Sequence, residues 1–230
     1  MLRLERTETR LGGFRLSADL DVPKGALCAV IGPSGSGKST LLGLIAGFLR
    51  PEAGRVIWEG EDLTGLAPGA RPVSVIFQDQ NLFPHLSVAE NVGLGLRPAL
   101  RLTPAEAARV EAALARVGLA GLGARRPAEL SGGQQSRVAL ARMALQARPI
   151  VLLDEPFSAL GPALKAEMLD LVAGLTAETG ATCLMITHDP GDARRIASHV
   201  ILVDDGRVAP PVATAALFAD PPAALSRYLG

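Results

Sequence analysis

The run Gly32, Pro33, Ser34, Gly35, Ser36, Gly37, Lys38, Ser39 and Thr40 carries the chemistry most directly legible in this sequence. It fits the spacing G-x-x-x-x-G-K-[ST]. Glycines at such positions let the backbone fold closely round a phosphate, and successive N–H groups then point inward. Lys38 supplies a mobile positive charge for the β and γ phosphates of a nucleotide, and the Ser39 hydroxyl can ligate Mg2+. Of 23 basic residues only Lys24, Lys38 and Lys165 are lysines. Position 38 therefore holds one of the few compact ammonium groups in an arginine-dominated chain.

Three further groups sit at the ends of apolar runs. Ile150 to Leu153 lead straight into Asp154 and Glu155. Asp154 is placed to hold a metal directly or through water, and Glu155 to polarise an attacking water as a general base. His188 follows the apolar run 182–186 and can hydrogen-bond a γ-phosphate. Gln78 follows Val73-Ser74-Val75-Ile76-Phe77 and can reach metal or water when its loop closes. Taken singly, His188 and Gln78 fit structural roles as well. Leu130-Ser131-Gly132-Gly133-Gln134-Gln135 is a different kind of site. A hydroxyl, bare amides and a helix start make a second anion site, suited to a nucleotide held by another molecule.

The elements that must position these groups follow from periodicity and punctuation. Residues 2–8 and 14–22 alternate apolar and polar, as half-exposed antiparallel strands do, with Gly12-Gly13 between them. Residues 27–31 form the strand before the phosphate loop, and a helix is predicted over 39–48. Residues 55–60 read as an edge strand in which Trp58 packs. Ser87 with Glu90 forms a capping box, Thr103-Pro104 starts an Ala-rich helix with Val110, Ala113, Leu114 and Val117 on one face, and Ser131 caps a third helix. Helices at 162–179 and 190–197 and strands at 150–153, 182–186, 199–203 and 207–209 complete the pattern, before an Ala/Pro-rich tail with an amphipathic stretch at 214–219. In a parallel α/β sheet ligands bind at the carboxyl ends of strands. Phosphate loop, carboxylates and histidine would therefore meet in one crevice.

Composition narrows the classes. The 230 residues are 48% hydrophobic with formal net charge +0. That suits one domain with an inserted subdomain and gives no global field for nucleic acid or an anionic membrane. No apolar run approaches the ~20 residues of a membrane span, and the charged start is unlike a signal peptide. Cys28 and Cys183 lie in apolar runs and read as buried, reduced thiols.

Taken together, residues 32–40, Gln78, Leu130 to Gln134, Ile150 to Glu155 and His188 resemble the ATP-binding subunit of ABC transporters over essentially the whole chain. The resemblance implies a P-loop NTPase core with a mostly parallel sheet and an antiparallel β edge (1–78 and 148–209), a helical subdomain (79–147) and a tail (210–230). It implies ATP and Mg2+ as ligands, the metal held by Ser39, Gln78 and Asp154, and catalysis by Glu155, His188 and Gln78. Two such chains would sandwich ATP, with Ser131, Gly132, Gly133 and Gln134 reaching the partner's nucleotide.

The words Gly47-Phe48-Leu49, Arg71-Pro72-Val73-Ser74 leading to Phe77-Gln78, Asn81 to Val88 and Asn91 to Leu96 resemble more narrowly the ATP-binding subunits of bacterial thiamine importers. Expected cargo is thiamine or a thiamine phosphate; iron, sulfate or polyamine import is the alternative. Expected partners are permease subunits bound near Gln78 to Val88 and, indirectly, a substrate-binding protein. The expected place is the cytoplasmic face of the plasma membrane. Leu82 and Phe83 are either exposed permease contacts or packed beneath the inserted helices. A soluble ATPase acting on DNA or ribosomes and a non-hydrolysing scaffold are the competing classes. Two positions depart from the family: Gly161 stands where Asp is usual, and the turn at Arg10-Leu11-Gly12-Gly13 lacks the aromatic that often stacks on adenine, leaving Leu11 or the Arg10 stem.

Overall fold

The computed structural model describes residues 1–223, 225 and 226. Its first half contains β1 (Leu2–Leu11), β2 (Phe14–Val22), β3 (Leu27–Ile31), α1 (Lys38–Ala46), β4 (Ala53–Trp58), β5 (Glu61–Asp62), β6 (Val73–Ile76), α2 (Val88–Gly93) and α3 (Pro104–Arg116). The second half contains α4 (Gly132–Gln146), β7 (Ile150–Asp154), α5 (Pro162–Thr179), β8 (Thr182–Ile186), α6 (Pro190–Ile196), β9 (His199–Asp204), β10 (Arg207–Val208), β11 (Val212–Ala213) and α7 (Thr214–Ala219). The end of the tail, 224 and 227–230, lies outside the described residues.

The strands join in the order β5-β4-β1-β2-β10-β9-β3-β8-β7-β6, with β11 on β9. One end is the antiparallel layer expected from alternation: Leu2, Leu4, Leu16, Ala18, Leu20 and Val22 are all buried. The other end is parallel, β3 pairing with β8 and β9, and β7 with β6 and β8. Its strands are apolar on both faces because both are covered. Alternate residues divide between two cores. Cys28, Val30, Ile150, Leu152, Leu184 and Ile186 pack with α1 and the antiparallel layer. Ala29, Ile31, Val151, Leu153, Cys183 and Met185 pack against residues of α4, α5 and α6. A third cluster, which includes Val88, Val92, Val110, Leu114 and Val138, joins α2, α3 and α4.

Element ends depart from expectation where backbone geometry overrides pattern. α1 stops at Ala46 because Gly47 turns left-handed with φ 87°, capping the helix through its N–H to Gly43 O. The short pair β11–β9 carries no periodicity signal. Trp58 is buried, 6% exposed, as a packing aromatic. The capping boxes at Ser87/Glu90, Thr103/Glu106 and Ser131/Gln134 all form.

Candidate functional site

The phosphate loop turns tightly between β3 and α1. Gly35 and Gly37 adopt φ 77° and 110°, values that L side chains rarely take. Gly32 is fixed by space instead: a Cβ there would lie 1.9 Å from Val203 O. The Phe14 ring backs the loop, within 2.8 Å of where a Gly37 Cβ would stand. Gly37 offers no side-chain cap, so the first-turn amides of α1 are left for a ligand. Lys38 is buried, and its Nζ donates to Gly32 O and Pro33 O, both at 2.8 Å. Burial lowers its pKa, opposed by Glu155 and Asp154. Ser36 Oγ is buried with no protein partner among the described residues. An orphan hydroxyl, a retracted ammonium and a cradle without room for a Cβ fit an anionic ligand.

Asp154 ends β7 beside this loop, and Ser39 Oγ donates to its Oδ1 at 3.4 Å. Burial raises the Asp154 pKa and Glu155 adds repulsion, while Ser39 and Lys38 act against the rise. Paired hydroxyl and carboxylate oxygens suit Mg2+, which takes one or two protein oxygens and completes its shell with phosphate and water. Glu155 follows in the left-handed region with φ 44°, a strain of about 1–3 kcal/mol for a non-glycine residue. Ser158 N and Oγ both donate to Glu155 O and hold the turn. Glu155 Oε2 lies 3.4 Å from Nδ1 of His188, whose side chain is 58% exposed beyond the end of β8. Because β8 runs between β3 and β7, the loop, both carboxylates and the histidine meet at one sheet end.

Gln78 is exposed in the turn after β6. Phe77 before it lines, with Ser39, Asp154, Phe48, Leu49 and Val75, a groove of about 400 Å3. Of the two apolar loop residues, Phe83 is 45% exposed, but Leu82 packs partly against two cores and is not a free tip. Ser131 and Gly132 are exposed at the start of α4. Gln134 is committed to the capping box, its Oε1 accepting from Ser131 N at 2.9 Å. Gly133 is glycine for a packing reason, since a Cβ would meet Leu164 Cδ2 at 2.4 Å. α1 and α4 belong to cores on opposite faces of the sheet, and the chain does not bring Ser131 to its own phosphate loop.

The family model described as ABC transporter matches residues 16–158, more than half of the chain. The chain belongs to the ABC transporter family. Curated relatives agree along the whole length of this ABC subunit. The thiamine import ATP-binding protein ThiQ of Cereibacter sphaeroides is 64% identical over 230 residues, covering all of both chains. That of Ruegeria sp. is 60% identical with the same coverage. Among solved structures, the dimeric post-hydrolysis state of the ATP-binding cassette MJ0796 bound to ADP and Pi is 30% identical, with a TM-score of 0.80, covering 93% of this chain and 99% of that one.

Four polar residues shape this ABC site in ways that the sequence assigns to none of them. Arg71, 1% exposed, donates to Leu44 O and Ile45 O at the end of α1, and to Leu66 O and Thr64 O. It brings positive charge to the helix C-terminus from another segment. Asn91, fully buried, donates to Phe83 O, Leu86 O and Ser87 O and accepts from Phe83 N, so it shapes the 83–87 loop. Arg142 on α4 holds Asn81 O and Gln80 O, residues with φ 49° and 60°. Lys165 bridges α5 and α6. A lone polar residue beside a helix signals burial only through the carbonyls around it, which the sequence does not print.

Proposed function

We propose that this ATPase subunit binds MgATP at Lys38, Ser39 and Asp154 and hydrolyses it with Glu155 as base, His188 at the γ-phosphate and Gln78 joining on closure. Mg2+ would neutralise charge on the β and γ oxygens while the loop amides and Lys38 hold the phosphates. Glu155 would orient and deprotonate the attacking water from its strained turn. Leu11, 45% exposed at the end of β1, is the apolar surface offered to the base, since Phe14 is occupied behind the loop. The observation that carries the reading is the meeting of Lys38, Asp154, Glu155 and His188 at one sheet end, with Ser131 on the far face. Such a site is half complete and needs the Ser131 of a second copy.

The cargo we propose is thiamine or a thiamine phosphate, supported by relatives of that name matching from end to end. Permease subunits would dock where Phe48 (55% exposed) and Phe77 meet, and at the Asn91-shaped loop with Phe83, which lines a neighbouring groove that shares Val75 with the first. An apolar surface beside a polar site is expected where a partner covers it. The chain would then work as a homodimer under the permease, at the cytoplasmic face of the membrane, with residues 79–147 moving as one unit. Among the described residues no helix is long and apolar enough to cross a membrane.

The test is Glu155→Gln in the purified chain. ATP-dependent dimers that persist without turnover are expected by size exclusion, while wild type passes through them. Turnover equal to wild type would remove Glu155 from the mechanism. For the cargo, cells lacking this chain should lose uptake of labelled thiamine and regain it with wild type but not with Glu155→Gln.

A further inference from the structure

Lys165 is half-buried in a clamp outside the phosphate site. Its Nζ lies 2.8 Å from Asp189 Oδ2 and 2.7 Å from Asp192 Oδ1. The second oxygen of Asp192 accepts from Thr187 Oγ1 at 2.5 Å, and Thr187 Oγ1 accepts from Asp189 N at 3.1 Å. These bonds close a ring, Lys165–Asp189–Thr187–Asp192, through both chain neighbours of His188. Thr187 and Asp192 are 5% and 6% exposed, so that side of the ring is shielded from water and its bonds are strengthened accordingly, while the Asp189 carboxylate stays open to solvent. Burial works against the ammonium, yet the hydrogen bonds to the two aspartates outweigh it and hold the Lys165 pKa above the ordinary value. Lys165, Thr187 and Asp192 of the ring line one cavity of about 10 Å3 together with Glu155 and His188.

The far end of the clamp matters as much. Lys165 sits in the first turn of α5, three residues beyond Pro162, directly after the turn Ser158 to Gly161 that leaves Glu155. The lysine thus connects the exit of the carboxylate turn to the backbone on either side of the histidine.

We propose that Lys165 is a positioning residue that holds His188 in register with Glu155, so that a shift of the Ser158–Gly161 turn is carried to the histidine. The proposal deepens the assignment of His188 above, and its effect on turnover rests on that assignment. The position of the ring is read separately. The chain has three histidines, so the imidazole Cε1–H resonance of His188 can be followed by NMR beside those of His85 and His199.

In Lys165→Met the His188 signal should shift or broaden while the other two stay in place, and Lys165→Arg should restore it. ATP turnover in Lys165→Met should fall between about tenfold and a hundredfold, the scale of a misplaced group, with KM for ATP little changed. Adding Lys165→Met to His188→Ala should cost nothing more, because both act through one group. Asp192→Asn, nearly isosteric, should reproduce the effects and stands in should Lys165→Met fail to fold. An unmoved His188 signal in the two clamp variants, or losses that multiply in the double variant, would overturn the proposal. Full turnover in His188→Ala would fail the earlier assignment of the histidine. An inactive His188→Ala beside a fully active Lys165→Met would fail this proposal alone.

Discussion

Gly161 precedes α5 with φ −66° and ψ 158°, an N-cap geometry open to any residue, and a Cβ there would meet nothing within 4 Å. Neither strain nor space requires glycine, so the departure from the family's usual Asp is not a folding constraint. Gly161→Asp is expected to keep the fold and add a few tenths of a kcal/mol, the difference between the two as N-caps, as read by urea denaturation. In the assembled transporter it should raise the cooperativity of ATP hydrolysis by restoring a carboxylate between the paired sites. Unchanged cooperativity would show that the position has no coupling role. Glu155 is the opposite case. Its φ of 44° suits Asn, which visits the left-handed region more readily, and its charge repels Asp154. Glu155→Asn should therefore stabilise the apo chain by about 1 kcal/mol while abolishing turnover. A loss of stability would mean that the carboxylate has a structural role.

Arg71 and Lys165 show what elements ask of residues far away in sequence. α1 has no basic residue in its last turn, and Arg71 reaches its carbonyls from beyond β5. Arg71→Met should cost roughly 2–4 kcal/mol by leaving buried carbonyls without donors. Arg71→Lys should recover only part of that, since an ammonium lacks the planar fork; equal stability of the two variants would contradict the capping role. At α6 the sign of a pH effect can be worked out. The hydrogen bond from Lys165 holds Asp189 below the ordinary carboxylate pKa, against the effect of burial. The unfolded chain then binds more protons, so this contribution is full above the unfolded value and is lost as pH falls through the folded one. The stability gap between wild type and Asp189→Asn should be constant near pH 7 and close progressively below about pH 4. A gap independent of pH down to acid unfolding would remove the ion pair from the account. Elements of this kind were legible where chemistry and periodicity coincide: the strand ends at 31 and 186, the strand leading into Asp154, the capping box at Ser87 and the N-caps at Thr103 and Ser131. The roles of Arg71, Asn91 and Arg142 were not, because their partners are backbone carbonyls brought near only by folding. Leu82 was ambiguous because a loop residue wedged between two cores has no periodicity.

At the scale of the molecule, the sheet separates the two halves of the chemistry. Residues of β3, β7 and β8 point alternately to the α1 side and to the side of α4, α5 and α6. Lys38 begins α1, while Ser131 begins α4 on the other side. On the reading proposed above, a two-fold dimer would place each opposite its counterpart twice. Complementation follows from this geometry. Lys38→Ala should lose nucleotide binding at its own loop, and Ser131→Arg should block the partner's nucleotide from the exposed helix start. Each chain alone should be inactive. Mixed in equal amounts, half of the dimers are hybrids, and each hybrid carries one intact site and one site with both defects. Turnover should return to about a quarter of wild type if the sites work independently, and to less if one intact site needs the other. Gly161 bears on that outcome, since a weakened link between sites favours the higher value and Gly161→Asp in both chains should lower it. Mixtures that stay inactive with and without Gly161→Asp, although hybrids form, would exclude independent sites. Full activity in either parent would show that catalysis does not cross the dimer.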